Sequence, residues 1–524
     1  MLRLQRQSID WALKHALAHG DTDVFPVPFE YEALKHDWDR VGAELQQADA
    51  LSWVTRPSRV LLAPKARHGF RVITQLDPLD FLVFAACVRE IASDLEACRV
   101  PPADGRVFSY RVSLDGDGRL FDPEIGYRSF LQRAREKLDE RPDADYVAVT
   151  DISDFYSRIY HHRLENALAS AAVSKKNHVK AIMGLLSGWN NSETYGIPIG
   201  SAPARLLAEV VLADVDQALL AAGIDFIRFN DDYRIFSDSY ASAYSATAFL
   251  ADTLSRNHGL GLQQKKTNIL DRATFTEEYL KTAQDHEFTS LRDRFMAIIA
   301  ELGLDNPYEP IDYDELPEHH RNAVDSLNLE QLLRDELGQD EPDFTVVRFA
   351  LRRLGQFGNA NVVDDVLASL DRVHPALPDI CGHIAGLRSL DDDARARLGA
   401  QLLDLMSGSV VSALPYHRMW ILEIFSRSNA WGNSHKFYSL FAAEPHDACR
   451  RNLILAMGRA GMRHWFQSQW RSLLDHPDWT RRAVLAGTSC LENDARRHLH
   501  ASIARKLDPI LEIAVSKWAL SNPF

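Results

Sequence analysis

The stretch FIRFNDDYRIF, Phe226–Phe236, sets two adjacent carboxylates, Asp231 and Asp232, between two apolar runs rich in aromatic and β-branched residues. The flanking runs IDFIRF and YRIFSD have the composition of short buried strands, and the polar NDD between them is short enough for a tight turn. The segment reads as a β-hairpin with acids at its tip. Upstream, YVAVTDI, Tyr146–Ile152, is a second short β-rich run that ends on Asp151. A carboxylate that ends a core strand costs free energy unless it is paired or bound to a cation. Were Asp151 to lie beside Asp231 and Asp232, three like charges would repel strongly, and two divalent cations would relieve them. Hard oxygen ligands with open positions suit Mg²⁺. Two such ions clamp the attacking and leaving oxygens of an in-line phosphoryl displacement.

Around these acids the chain mixes strand-like and helix-like segments up to about Leu270. SAPARLLAEVVLADVDQALLAAG, Ser201–Gly223, predicts one long helix with Ser201 as N-cap, Pro203 in the first turn and Gly223 as the stop. The character then changes. DNPYEPIDYDELPEHH, Asp305–His320, is acidic and carries three prolines, which predicts a linker or irregular connection. Beyond it, successive segments such as DFTVVRFALRRLGQFG and ACRRNLILAMGRAG show apolar residues three to four apart, separated by Gly, Pro, Asn or Asp. Short helices following one another in this way suggest a stacked α-repeat of the HEAT sort, a contact surface rather than a catalytic one.

Composition narrows the classes. A chain of 524 residues is too long for one ordinary core. Its 46% apolar and 25% charged residues are ordinary for a soluble globular protein. No apolar run approaches the roughly 20 residues of a membrane helix, and the N-terminal segment lacks the continuous apolar stretch of a secretory signal. A cytoplasmic protein without a membrane partner is expected. The net charge of −14 excludes a protein that coats itself with duplex by counterion release. Nucleic acid would be handled in a local channel, for which PKARHGFR (Pro64–Arg71), SKKNHVK (Ser174–Lys180) and QQKKT (Gln263–Thr267) supply basic clusters. Cys87, Cys98, Cys381, Cys449 and Cys490 are widely spread with no C-x-x-C pair, which favours reduced thiols over a disulfide framework or a zinc site.

Taken together and in order, the motifs resemble those of reverse transcriptases. FNDD (Phe229–Asp232) is similar to the family's aromatic-x-Asp-Asp box, and DISDFY (Asp151–Tyr156) to its first metal-binding strand. GIPIGSAPARLLAE (Gly196–Glu209) is similar to the Pro-x-Gly turn and helix, GLGLQQKKTNIL (Gly259–Leu270) to the Leu-x-x-x-Lys-Thr motif, and PKARHGFRVITQLDP (Pro64–Pro78) to the fingers motif. The resemblance implies an α+β fold. It implies an N-terminal helical segment over 1–60, reverse-transcriptase-like fingers and palm over 61–300, a linker over 301–342 and a HEAT-like α-helical repeat domain over 343–524.

The resemblance also implies roles. Asp151, Asp231 and Asp232 would be the catalytic and metal-binding acids, Asp151 and Asp231 holding two Mg²⁺ ions with Asp232 beside them, and Mn²⁺ a substitute. Tyr156 falls at the steric gate, where an aromatic ring excludes the 2′-hydroxyl, so dNTPs are the expected substrates. Phe155, Ile199 and Gly200 would line the nucleotide. Lys65 and Arg71 would grip its triphosphate as fixed cations, the alternative being an exposed basic strand. Lys266 would sit near the leaving pyrophosphate as a proton donor, or is an ordinary surface lysine. Replicative members carry Pro-Gln-Gly where this chain has Pro198-Ile199-Gly200, and Ile cannot make the hydrogen bond of Gln. With HGDTDVFPVPFEYEAL (His19–Leu34) and FYSRIYHH (Phe155–His162), that departure resembles the abortive-infection and defence-associated reverse transcriptases of bacteria. Membership there implies antiphage defence, DNA synthesis without a template from a protein hydroxyl, a single-stranded DNA product attached covalently, and homo-oligomers, trimers or hexamers. Tyr31, Tyr416 and Tyr438 are candidates for the priming residue. Two alternatives stand beside this reading: a templated RNA-directed DNA polymerase with a cognate non-coding RNA, and an α-repeat binding scaffold with a vestigial palm.

Overall fold

Tyr146–Asp151 (β3) is an interior strand of a four-stranded antiparallel sheet ordered β4-β5-β3-β6, in which β4 is Phe226–Phe229, β5 is Asp232–Ser237 and β6 is Asn268–Asp271. The computed structural model describes residues 1–190, 193–280, 291, 294–299, 301, 311, 313 and 316–522. Five consecutive residues of β3, Val147 to Asp151, are buried, because both faces of the sheet are covered. On one face Val147, Val149, Ile227 and Phe236 pack with Phe130, Ala134 and Leu138 of the helix Tyr127–Glu140 and with Phe275. The helix Tyr240–His258 packs on β3 and β5. The expected hairpin forms: Phe229 pairs with Asp232, leaving a two-residue tip, Asn230–Asp231. Asn230 adopts φ 56°, a left-handed conformation that Asn tolerates better than most side chains.

The chain divides into two compact units, residues 1–60 with 73–282, and residues 61–72 with 283–524. The expected boundaries, 1–60, 61–300, 301–342 and 343–524, differ from this division. Residues 1–60 are not a separate body. Their helices Arg6–His19 and Glu30–His36 bury Trp11, Ala12, Ala16, Tyr31 and Leu34, and His15 and Tyr31 pack against Phe81 of the almost wholly buried helix Pro78–Arg89. The hairpin of β1 (Arg59–Ala66) and β2 (Gly69–Gln75) has its outer residues, 61–72, in the second unit. The helix expected over Ser201–Gly223 is two, Ala202–Val211 and Ala213–Ala221. Ser201 caps the first as expected and Gly223, at φ 70°, follows the second. The break lies at Leu212, whose N–H bonds back to Glu209 O, and it lets the second helix bury Val215, Asp216 and Leu219.

In the second unit, the segment 301–342 expected as irregular contains two helices, Glu318–Asp325 and Leu329–Gly338, which bury Val324, Leu333 and Leu337. Apolar spacing within an acidic segment was enough for them. Residues 302–310, 312, 314 and 315 of that segment lie outside the described residues. Beyond it, the helices Phe344–Gln356, Leu377–Ala385, Pro415–Arg427, Asp447–Arg459, Asp478–Gly487 and Leu511–Ser521 each pack on the next. Polar contacts stitch neighbouring layers: Arg352 to Asp379 at 2.7 Å, Asn452 to Met419 O at 3.0 Å and Arg481 to Glu512 at 3.0 Å.

Four buried charges underlie the sheet's acidic end. Arg228 of β4 is fully buried and pairs with Asp216 at 2.5 Å and Glu209 at 3.0 Å. Glu209 also accepts from Arg99 at 2.7 Å and from the Ser109 hydroxyl at 2.5 Å. Burial pushes the Asp216 carboxyl up, and Arg228 draws it back. Removing one member of such a network leaves an uncompensated charge in a dry site. The Arg228→Met substitution is therefore expected to lower stability by about 3–5 kcal/mol, read as a drop in the urea unfolding midpoint.

Candidate active site

β3 and β5 bring the acids together. Their antiparallel register sets Asp151 opposite Asp232. Ile152 N–H donates to Asp231 O at 3.1 Å, which makes the adjoining pair, Asp151 and Asp232, a non-hydrogen-bonded one, the kind whose side chains approach most closely. Asp231, at the turn, stands within charge range of both. Burial, then Asp151, then Asp232, push its carboxyl up to about 7. The other edge of β3 is held by the segment before β6: Ser153 N–H donates to Gly261 O at 2.9 Å and Gln263 N–H to Asp151 O at 2.7 Å. That pairing delivers Lys266, whose ammonium forms an ion pair with Asp151. Thr150 and Thr267 hydroxyls lie 2.7 Å apart beside it.

The aromatic side of the site follows from the turn after β3. Phe155 is buried and meets Tyr156 edge-on, ring centroids 5.5 Å apart. The Tyr156 hydroxyl donates to Asn230 Oδ1 at 3.2 Å, so the hairpin tip fixes the ring expected as the gate. Burial pushes the Tyr156 phenol well above its usual range. The Asn230 amide donates to Asp231 at 2.6 Å, and Arg228 donates to Asn230 O at 2.8 Å. The buried network thus reaches the acids through one asparagine. The Pro198–Gly200 turn is covered by the N-terminal segment: Asp23 N–H donates to Gly200 O at 3.3 Å. Gly200 has φ 105°, and a Cβ there would lie 3.0 Å from Asp23 Oδ1 and 3.1 Å from Val24 Cγ2, so only glycine fits. Ile199 is half-buried.

Of the residues singled out from the sequence, Asp151, Asp231, Asp232 and Lys266 converge, with Tyr156 joined to them through Asn230 and Phe155 packed on Tyr156. Lys65 and Arg71 lie in residues 61–72 of the second unit, Lys65 exposed and Arg71 half-buried. The three tyrosines considered for priming differ sharply. Tyr31 and Tyr416 are buried, which pushes the Tyr31 phenol well above its usual range and the Tyr416 phenol to about 12, whereas Tyr438 is 60% exposed. A buried phenol is closed to a substrate, which sets Tyr31 and Tyr416 aside. Composition did not reveal Asn230, Arg228 or the pairing of Lys266 with Asp151. The Asn-Asp turn was the one available signal for Asn230.

Among the described residues, no group of three or more His, Cys, Asp or Glu side chains is arranged to hold a metal ion. Cations stand beside two of the acids: Lys266 pairs with Asp151, and Arg234 lies 3.8 Å from Asp232. The donor set nevertheless suits a hard cation. Asp151 Oδ1 is buried with no hydrogen-bond partner, and Asp231 carries the raised pKa of a crowded carboxylate.

Residues 102–290 match the family model described as reverse transcriptase (RNA-dependent DNA polymerase). No curated protein matches the sequence. Similar solved structures include telomerase from Candida albicans in complex with the TWJ fragment of telomeric RNA, at 13% identity and TM-score 0.32, covering 73% of each chain. Telomerase from Candida tropicalis with the same kind of fragment gives 11% and 0.33, covering 69% of this chain and 66% of that one. The apo form of the latter gives 10% and 0.32, covering 93% and 74%. The protein is a nucleotidyltransferase. Residues 102–290 carry the match to the reverse-transcriptase family, whose members make DNA from nucleotides.

A divalent ion held by Asp151 would compete with the Lys266 ammonium for that carboxylate. Mg²⁺ should stabilise the protein, by about 1.4 kcal/mol when the free ion is ten times its dissociation constant. The Lys266→Met variant should gain more than the wild type at equal Mg²⁺, measured by thermal unfolding with and without the ion.

Proposed function

We propose that this protein is an antiphage defence DNA polymerase that adds dNTPs by phosphoryl transfer, without a template and from a hydroxyl of the protein itself. The observation that carries the catalytic part is the cross-strand pair Asp151–Asp232 with Asp231 at the adjoining turn. In this reading Asp151 and Asp231 hold Mg²⁺, with Asp232 beside them, and the bound ions supply charge neutralisation at the phosphate and activation of the attacking hydroxyl. Tyr156, fixed by Asn230, excludes ribonucleotides. Lys266, as the cation beside Asp151, is suited to protonate the departing pyrophosphate.

Two features favour a template-free enzyme over a templated one. Ile199 stands where a hydrogen-bonding Gln would be expected, and the chain's own Asp23 and Val24 cover the Gly200 turn. Of the three tyrosines considered, Tyr438 is the exposed one and the first to examine as primer. The packed helices of the second unit, read as a HEAT-like repeat, would serve subunit or partner contacts in a cytoplasmic homo-oligomer. No helix among the described residues is long and apolar enough to cross a membrane.

The decisive assay supplies purified, nuclease-treated protein with dNTPs, Mg²⁺ and no nucleic acid. DNA should form and should be covalently bound to the protein by mass spectrometry. Strict dependence on added RNA would refute template independence. Asp231→Asn should cut incorporation more than about a hundredfold, a loss of several kcal/mol of transition-state stabilisation, while unfolding no more easily in metal-free buffer, because a like charge has gone. Tyr156→Ala should raise ribonucleotide use relative to deoxyribonucleotide by about tenfold or more, measured as the ratio of kcat/KM values.

A further inference from the structure

Arg205 is one residue of the Ala202–Val211 helix that the reading above leaves without a role. It lies in the helix that follows the Pro198–Gly200 turn, with a side chain three-quarters buried, and it forms an ion pair with Asp23 of the N-terminal segment, whose carboxylate is largely exposed. The guanidinium sits over the Tyr110 ring, 5.4 Å from its centroid. Tyr110 in turn packs against Phe229, the last residue of β4, with centroids 6.0 Å apart. It is held at φ 50°, a costly conformation for a bulky side chain. Arg99 anchors that backbone by donating to Ser109 O at 2.6 Å and Tyr110 O at 2.9 Å. The buried network of Arg99, Glu209 and Arg228 therefore positions both the Tyr110 platform and the Asn230 tip. Arg205 lies on the platform side of that frame, next to the gate. Its charge opposes the effect of burial on the Tyr156 phenol.

We propose that Arg205 makes the polar contact to the incoming nucleotide that Ile199 cannot make, and that Asp23 holds its guanidinium aside until a nucleotide enters. This rests on the polymerase reading and names a residue that determines how the site recognises its substrate. The chemistry favours it. Arg presents several donors and no acceptor, so its ligand must offer acceptor oxygens or nitrogens, as the sugar and base of a dNTP do. A planar guanidinium resting on an aromatic ring is already oriented, so little freedom is lost when it binds. The Asp23 pair is half open to water and is weak enough to exchange for a desolvated ligand. Because Asp23 also donates its backbone N–H to Gly200 O, the segment that covers the Pro-x-Gly turn is the one that restrains the arginine.

Equilibrium binding of α,β-imido dNTPs with Mg²⁺, measured by titration calorimetry, tests this without turnover. Arg205→Ala should weaken binding by about tenfold or more, the worth of a hydrogen bond to a charged group. Asp23→Asn should tighten it by up to about fivefold, the worth of an exposed ion pair, and the double variant should bind like Arg205→Ala. A merely structural ion pair would lower the thermal midpoint in both single variants and shift affinity in the same direction in both, or in neither. Either result overturns the proposal, as does a wild type that binds no analogue. Should Arg205→Ala fail to fold, Asp23→Asn decides alone, and unchanged or weaker binding there overturns it. Binding by the wild type without incorporation of natural dNTPs would instead remove the polymerase reading and leave the Arg205 contact standing.

Discussion

Four buried charges of alternating sign hold the acidic end of this molecule in place. Arg99, Glu209, Arg228 and Asp216 come from four separate segments, and in a dry interior each is tolerable only with its neighbours present. The arrangement is an expensive way to gain stability, since apolar residues of similar volume pack as well. What it provides is direction. Through Ser109 and Tyr110 it sets one wall, and through Asn230 O it sets the hairpin tip. Three carboxylates that would otherwise splay apart are presented on a backbone that cannot yield.

The three acids differ in what stands beside them. Lys266 takes Asp151, Arg234 draws on Asp232, and Asp231 is left with a proton affinity far above that of an ordinary carboxylate. These are three different answers to one electrostatic problem. Each arrangement lowers the repulsion among the three carboxylates, by a cation at Asp151 and Asp232 and by a proton at Asp231.

Much of this could be read from residues alone. The alternation of apolar runs with NDD gave the hairpin, and a carboxylate at the end of the strand in YVAVTDI marked Asp151 as a group that needs a pair or a cation. Both rest on local rules, strand period and turn length, that act over a few residues. Distant pairings were harder. Lys266 reaches Asp151 because a segment before β6 adds itself to the edge of β3, and nothing in QQKKT announces that. Arg228 lies inside the run IDFIRF, and its burial depends on Asp216 and Glu209, which an unforeseen break at Leu212 helps to orient. Burial misled in the other direction for Tyr31 and Tyr416, because a phenol carries the same letter whether it faces water or a core. The layered helices after residue 343 were legible through their spacing, while the acidic stretch before them hid two further helices behind its prolines and charge.

The brevity of the hairpin tip has its own corollary. With only Asn230 and Asp231 between paired strands, one inserted residue would be taken up in the tip, because the buried faces of β5 and its two neighbours hold its register, and Asn230 and Asp231 would lose their fixed places beside Tyr156 and Asp151. Chain length at this point is thus under as tight a constraint as chemistry. A frame-preserving insertion of a single codon would silence the centre while leaving every acid in the polypeptide.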